Sequence, residues 1–268
     1  MPNYICVTCG TQYADSEQPP AHCAICEDER QYVNPNGQSW TTLDELRQTS
    51  RNVIEPVEPG LYRIKSDPRV GIGQYAHLVQ TPHGNILWDC ISLIDDATVK
   101  AIENLGGIVA IAVSHPHFHS SIVEWSRAFH DVPVYIHVGN QEWVMRPDRV
   151  IVFWEEQSRV LNDDVALIHC GGHFEGSAVL HWREGAEGRG VLLTADTIDV
   201  VADPRYVTFM YSYPNLIPLP ASKVRAIVDA VEPFKFDRIY ESFGSVVAKD
   251  ARERLRISAD RYIRAISG

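Results

Sequence analysis

The chain has 268 residues, of which 45% are apolar, and its formal net charge is -11. This length and composition suffice for a full-sized hydrophobic core. The negative charge argues against a nucleic-acid-binding surface, which needs clustered lysine and arginine. No apolar run approaches the length of a membrane span, and the N-terminus lacks the basic-then-apolar pattern of a signal peptide. We therefore expect a cytoplasmic protein that acts on a small molecule, with no nucleic-acid or membrane partner. The sequence leaves its oligomeric state open.

The first 40 residues contain two Cys-x-x-Cys pairs, Cys6 with Cys9 and Cys23 with Cys26. Four thiolates presented from two tight turns can complete a tetrahedral metal site. This module, residues 1–40, resembles a zinc ribbon or a rubredoxin. The resemblance favours a structural zinc ion, and iron remains an alternative that the sequence does not separate from it. Disulfides are disfavoured, because nothing places the protein outside the cell.

Beyond a turn-rich linker at 34–37, residues 41–268 are predicted to form one catalytic domain. Thr42 and Glu45 match a capping box and predict a short helix that begins there. Strands and helices then alternate. The predicted strands are 61–65, 75–80, 85–89, 108–113 and 134–137, and the predicted helices are 94–105, 121–130 and 247–266.

Three histidines directly follow the apolar, β-branched stretch 108–113. His115, His117 and His119 stand at i, i+2 and i+4, so a short loop beyond the strand can bring them to one point. Imidazole is the commonest protein ligand for zinc and also suits iron. The spacing therefore predicts a metal centre.

Two further candidate ligands follow later apolar segments. His173 comes after the strand-like segment 165–168, within a Gly-Gly-His turn. Asp196 closes another apolar segment. Both residues are expected to join the histidine loop at one metal site.

In its motifs and their order, the region from about 56 to 265 resembles the metallo-β-lactamase superfamily. The resemblance implies an α+β fold, a four-layer αββα sandwich preceded here by the small four-cysteine ribbon. It also implies that His115, His117 and His173 bind the first metal ion, and that Asp196 touches both metal positions of the family.

The second metal position departs from the family pattern. The family has an aspartate where this chain has His119 and a histidine where it has Ser120. Near the C-terminus, Phe243 lies at or next to the position of a further family histidine. A phenyl ring cannot coordinate a metal, and a neutral serine hydroxyl is a poor zinc ligand. We expect one zinc ion in the catalytic domain, with iron as an alternative, unless His119 rebuilds part of the second site.

An unusually aromatic segment, 206–215, follows Asp196 closely. Tyr206, Tyr211 and Tyr213 are candidate substrate-binding residues in the wall of a pocket, where aromatic rings provide buried area and hydroxyl groups provide orientation. Core packing explains the same segment almost as well.

The function predicted from these residues is hydrolysis of an ester, lactone, thioester or amide by a metal-bound water. Asp196 would be a fourth ligand or the partner of that water, and His119 would transfer protons to or from the reacting groups. Two alternatives stay open. One is a mononuclear iron oxidoreductase acting on a sulfur compound, and the other is a binding protein that keeps its metal for stability.

Overall fold

The computed structural model describes all 268 residues. The chain divides into two compact units, which are described separately: 1–136 with 141–153, and 137–140 with 154–268. None of the helices combines the length and apolar character needed to cross a membrane. The predicted domain boundary at residue 40 remains a prediction.

The first unit begins with a small two-stranded sheet and a short helix that carry the four cysteines. Strand β1 (Ile5–Cys6) pairs antiparallel with β2 (Trp40–Thr41), and helix α1 (Ala24–Glu27) lies between them in the sequence. Helix α2 (Leu43–Thr49) follows, and both hydrogen bonds of the predicted capping box at its first turn are present.

A seven-stranded sheet forms the main part of the first unit; its first four strands are antiparallel neighbours, and its fourth, fifth and sixth strands run parallel. Its strands follow one another in space in chain order, and two helices, α3 and α4, come before and after β7. The elements are β3 (Arg51–Glu58), β4 (Leu61–Asp67), β5 (Ala76–Val79), β6 (Ile86–Trp88), α3 (Asp96–Asn104), β7 (Ala110–Ala112), α4 (Ile122–Ala128), β8 (Val134–His137) and β9 (Ile151–Trp154).

The strand that carries the histidine loop is shorter than the predicted 108–113, because only β7 at its centre is paired on both sides. All three residues of β7 are buried, whereas Val109 is 46% exposed. Strand β3 was not predicted from the sequence. It contains Pro56 and lies at the edge of the sheet, which is where a strand tolerates a residue without an N–H group.

The second unit contains a six-stranded sheet, in the order β10-β11-β12-β13-β18-β19, and two small hairpins. Strands β13 and β18 are parallel neighbours, and the other pairs of the sheet are antiparallel. The elements are β10 (Ser158–Val160), β11 (Val165–His169), β12 (Ala178–Trp182), α5 (Gly185–Gly188), β13 (Val191–Leu193), β14 (Asp199–Val200), β15 (Val207–Thr208), β16 (Met210–Ser212), β17 (Ile217–Pro218), α6 (Ala221–Val231), β18 (Arg238–Tyr240), β19 (Val246–Val247) and α7 (Ala251–Ser267).

The predicted start of the last helix at Val247 was wrong. Val247 pairs with Ile239 between β19 and β18, and α7 begins only after Asp250, whose φ is 55°. The core of this unit forms where α6 and α7 place their apolar faces, including Ile227 and Leu255, against buried residues of the sheet.

Candidate metal sites

The four cysteines of the first module lie together and are buried. The Sγ atoms of Cys6 and Cys26 are 3.6 Å apart, and those of Cys9 and Cys23 are also 3.6 Å apart. A disulfide would need about 2.05 Å. Four sulfur atoms at about 2.3 Å from one zinc ion in a tetrahedron lie about 3.8 Å from each other. The spacing therefore fits a tetrahedral four-sulfur metal site.

Polar groups around the cysteines favour the ionised, thiolate form of their side chains. The side-chain amide of Gln38 donates to Cys6 Sγ at 3.1 Å, and the hydroxyl of Tyr13 donates to Cys23 Sγ at 3.4 Å. Burial raises the pKa of the Cys9 thiol well above its ordinary value, whereas hydrogen bonds from neighbouring cysteines, first Cys23, lower that of Cys6. Four such thiols ionise together only with a cation among them.

In the first unit, the loop after β7 holds two of the predicted histidine ligands. His115 is fully buried and extended, and His117 follows in a 3₁₀ turn over 116–118. The carboxylate of Asp89, at the end of β6, accepts the N–H of Ser114 at 2.7 Å, and Ser114 Oγ lies 2.9 Å from His115 Nδ1. These contacts fix the start of the loop and the orientation of the His115 ring.

In the second unit, the Gly-Gly-His turn and the segment after β13 hold the other two predicted ligands. Gly171 and Gly172 have φ of 63° and 89°, so the turn uses the conformational freedom of glycine. His173 Nδ1 lies 3.2 Å from the carbonyl of Met210. Only a protonated Nδ1 can donate to a carbonyl, which leaves the lone pair of His173 on Nε2. That Nε2 is 3.6 Å from Asp196 Oδ2.

The ligand atoms of His115, His117, His173 and Asp196 all lie within 4.8 Å of one another. All four residues are buried. Two ligands at about 2.1 Å from a tetrahedral ion are about 3.4 Å apart, close to the His173–Asp196 distance. Three imidazoles and one carboxylate are a donor set for zinc or iron. The residues therefore fit a metal ion.

His119 is buried but does not belong to this group of four. Its Nδ1 lies 3.1 Å from the carbonyl of Trp143, so Nδ1 carries the proton. Its Nε2 is buried without a hydrogen-bond partner. Burial lowers the pKa of His119 to about 3, so the ring is neutral and its Nε2 lone pair is available.

Ser120 takes part in a buried hydrogen bond, and Phe243 lies near the protein surface. Ser120 is buried, and its Oγ accepts a hydrogen bond from the side chain of Gln74 at 2.9 Å. Phe243 is 44% exposed. Glu241, two residues earlier and directly after β18, is the buried carboxylate of that turn.

Glu241 was missed by the sequence analysis. Its carboxylate accepts the N–H groups of Phe243, at 2.5 Å, and Ser245. Burial raises the pKa of Glu241 to about 7, and the charge of Asp196 acts in the same direction. Asp199, whose pKa burial also raises to about 7, belongs to the same acidic neighbourhood. The signal that could have identified Glu241 as a candidate site residue was its position at the C-terminal end of a parallel strand.

The three candidate tyrosines occupy different surroundings. Tyr213 donates a hydrogen bond to the backbone carbonyl of Asp196 at 3.0 Å. Tyr211 packs against the core of the second unit. The ring of Tyr206 lies near the guanidinium groups of Arg205 and Arg261. The substrate-binding roles of the tyrosines remain predictions, and Tyr213 already holds the Asp196 turn.

Comparisons with known proteins identify relatives and the fold. No protein-family model matches the chain. The uncharacterized protein YmaE of Bacillus subtilis (strain 168) is 51% identical over 269 residues, which covers 100% of this chain and 98% of YmaE.

Among solved structures, the metallo-β-lactamase DIM-1 matches 80% of this chain and 98% of its own, with a TM-score of 0.60 and 14% identity. The mono-zinc form of the metallo-β-lactamase FIM-1 from Pseudomonas aeruginosa matches 80% of this chain and 96% of its own, with a TM-score of 0.57 and 16% identity. The predicted fold class is confirmed. The chain has the metallo-β-lactamase fold and belongs to the same family as YmaE.

Proposed function

We propose that this protein is a metal-dependent hydrolase that cleaves an ester, lactone, thioester or amide bond in a small molecule. The observation that carries the proposal is the buried group His115, His117, His173 and Asp196 in a chain with the metallo-β-lactamase fold. The four cysteines would hold a second metal ion, a structural zinc.

A metal ion held by the histidine site would supply a Lewis acid, which can lower the pKa of a water molecule toward neutrality and polarise a carbonyl group. The protein contributes the orientation of the ligands. The Met210 carbonyl fixes the tautomer of His173, and Asp89 and Ser114 fix the loop that carries His115. Tyr213 holds the backbone of Asp196.

His119 presents an unprotonated ring nitrogen, although burial lowers its pKa and makes it a weaker base than an ordinary histidine. Its Nδ1 hydrogen bond to the Trp143 carbonyl places the remaining lone pair on Nε2, which has no hydrogen-bond partner. A group of this kind can act as a general base when a substrate brings the proton within hydrogen-bond distance. We assign His119 to proton transfer, and Asp196 to the metal or to its water.

We further propose a single metal ion at the histidine site. Ser120 uses its hydroxyl in a hydrogen bond with Gln74, and Phe243 offers no ligand atom. One of the solved structures that this chain resembles is a mono-zinc form, so the fold accommodates one ion. A crystal structure at saturating zinc with two well-occupied ions bridged by Asp196 would contradict this assignment.

The charge of the protein supports a small substrate. The net charge of -11 and the five carboxylates against one arginine in residues 1–40 disfavour a polyanionic partner. None of the six cysteines forms a disulfide, which suits a reducing compartment such as the cytoplasm.

The test is elemental analysis of protein purified without added metal, followed by a panel of chromogenic esters, lactones, thioesters and a β-lactam. We expect zinc and hydrolysis of at least one ester or amide bond, abolished in His117→Ala and unchanged in the exposed-site control His83→Ala. Iron without hydrolysis, with oxygen consumed in the presence of a thiol or persulfide, would instead establish an oxidoreductase. Metal without either activity would leave a binding protein.

A further inference from the structure

The four-cysteine module contacts the histidine loop directly. The backbone N–H of Gln12, three residues after Cys9, donates to the carbonyl of Ser120 at 3.1 Å. Ser120 follows His119 and has a φ of 43°. The module is therefore bonded to the segment that carries the metal ligands of the first unit.

A buried arginine forms a second connection. The guanidinium of Arg146 donates to the side-chain oxygen of Gln12 and, at 2.6 Å, to the carboxylate of Glu124. Glu124 lies in α4, the helix that begins directly after the histidine loop. The Arg146 side chain is only 10% exposed, so this charge-assisted network is largely shielded from water.

The segment 143–146 forms a third connection, because it contacts both sites. Trp143 and Met145 pack against the cysteine cluster. The Met145 carbonyl accepts the N–H of Ala14 at 3.1 Å, and the Trp143 carbonyl faces His119 Nδ1 at 3.1 Å. Gln12, His119 and Arg146 also line one cavity of about 10 Å³, which leaves little free space at this contact.

We propose that the four-cysteine module positions the histidine loop, so that metal bound by the cysteines tightens metal binding by the histidines. Gln12 and Arg146 are the positioning residues. A segment of about 40 residues has too small a core to hold one conformation without its metal. Without that metal, Gln12, Ala14 and Trp143 would no longer hold the histidine loop in place. Metal binding by the histidines would then also have to order this loop, so the affinity of the histidine site would fall.

This proposal rests on the metal site of the proposed function, and its test separates the two. Arg146→Met keeps the apolar stem of the side chain and removes its hydrogen bonds. The protein is loaded with zinc at the cysteines, and the affinity of the histidine site is measured by competition with a chromophoric chelator. Cobalt at the histidine site gives a second, spectroscopic readout of ligand geometry.

We expect Arg146→Met to retain the cysteine-bound zinc and to bind metal at the histidine site about 10- to 100-fold more weakly, as for other losses of groups that orient ligands. The matched control is Arg127→Met, since Arg127 lies in α4 as Glu124 does, but it pairs at the surface with Asp148 and is 50% exposed. The control should keep the wild-type affinity. Arg146→Lys, which retains the charge and can donate to one partner, should recover part of the loss.

Equal affinities in wild type and Arg146→Met, or equal losses in Arg146→Met and Arg127→Met, would overturn the coupling. If Arg146→Met does not fold, Gln12→Ala removes only the acceptor on the module side and answers the same question. A wild-type protein that binds no metal at the histidine site would instead refute the proposed function.

Discussion

Gly172 offers a test of how tightly the turn before His173 is built. Its φ is 89°, a conformation that side chains rarely adopt. A Cβ atom at this position would lie 2.8 Å from Ile227 Cδ1 and 3.2 Å from Leu219 Cδ1, and both side chains are buried in the core of the second unit. Gly172→Ala therefore introduces both backbone strain and a steric conflict.

The expected loss of folding stability is the sum of these two contributions. A left-handed conformation costs an alanine about 1–2 kcal/mol relative to glycine. Forcing a methyl group into a packed core costs about 1–3 kcal/mol more. We expect Gly172→Ala to lower the free energy of unfolding by about 2–5 kcal/mol. Gly188→Ala is the matched control, because Gly188 has a φ of 81° and open space around its Cβ position, so only the first contribution applies.

The assay is denaturant unfolding of the metal-free proteins, together with zinc titration of the histidine site. Gly172→Ala should lose about 1–3 kcal/mol more than Gly188→Ala. It should also bind zinc more weakly, because relief of the conflict moves His173, whereas the control should bind zinc as the wild type does. Equal losses of stability in the two variants would refute the steric argument.

Three further predictions concern single sites. Cys9→Ser should release one metal equivalent and loosen residues 1–40 while the histidine site stays occupied at saturating zinc, and full retention of metal by this variant would refute the four-sulfur site. His117→Ala should lose both its metal and its hydrolytic activity. His119→Ala should keep its metal while the rate of hydrolysis falls by about 10²- to 10⁴-fold. Loss of metal from His119→Ala would show that this residue is a ligand. Burial lowers the pKa of His77 to about 3 from an ordinary 6.5, so the unfolded chain binds more protons between these values and stability is lost as the pH falls below 6.5. Between pH 7 and pH 5, wild type should lose about 2 kcal/mol more than His77→Gln in denaturant unfolding, and parallel losses would contradict this assignment.

The candidate ligand residues could be predicted from the sequence because their signals are local. Two Cys-x-x-Cys pairs and a His-x-His loop after an apolar strand each fix a few neighbouring side chains. Spacing of this kind reports chemistry without requiring the rest of the fold. The capping box at Thr42 was predicted correctly for the same reason.

Features that depend on distant segments could not be predicted in this way. The contact of Gln12 with Ser120 joins residues far apart in the sequence, and no spacing indicates it. Glu241 acquires its raised pKa only from burial near Asp196. The start of the last helix was misplaced because the pairing of Val247 with Ile239 overrides an apolar pattern that also suits a helix.

Ser120 connects the two proposals about this protein. Where the resembled family has a histidine for a second metal ion, this chain has a residue whose hydroxyl binds Gln74 and whose carbonyl receives the N–H of Gln12. A histidine at this buried position would lack the hydroxyl that accepts the hydrogen bond from Gln74. Ser120 is thus bonded through its side chain to Gln74 and through its backbone to the cysteine module, and we propose that it takes no part in metal coordination. The proposed mononuclear site and the proposed support of its loop by the cysteine module therefore both involve Ser120.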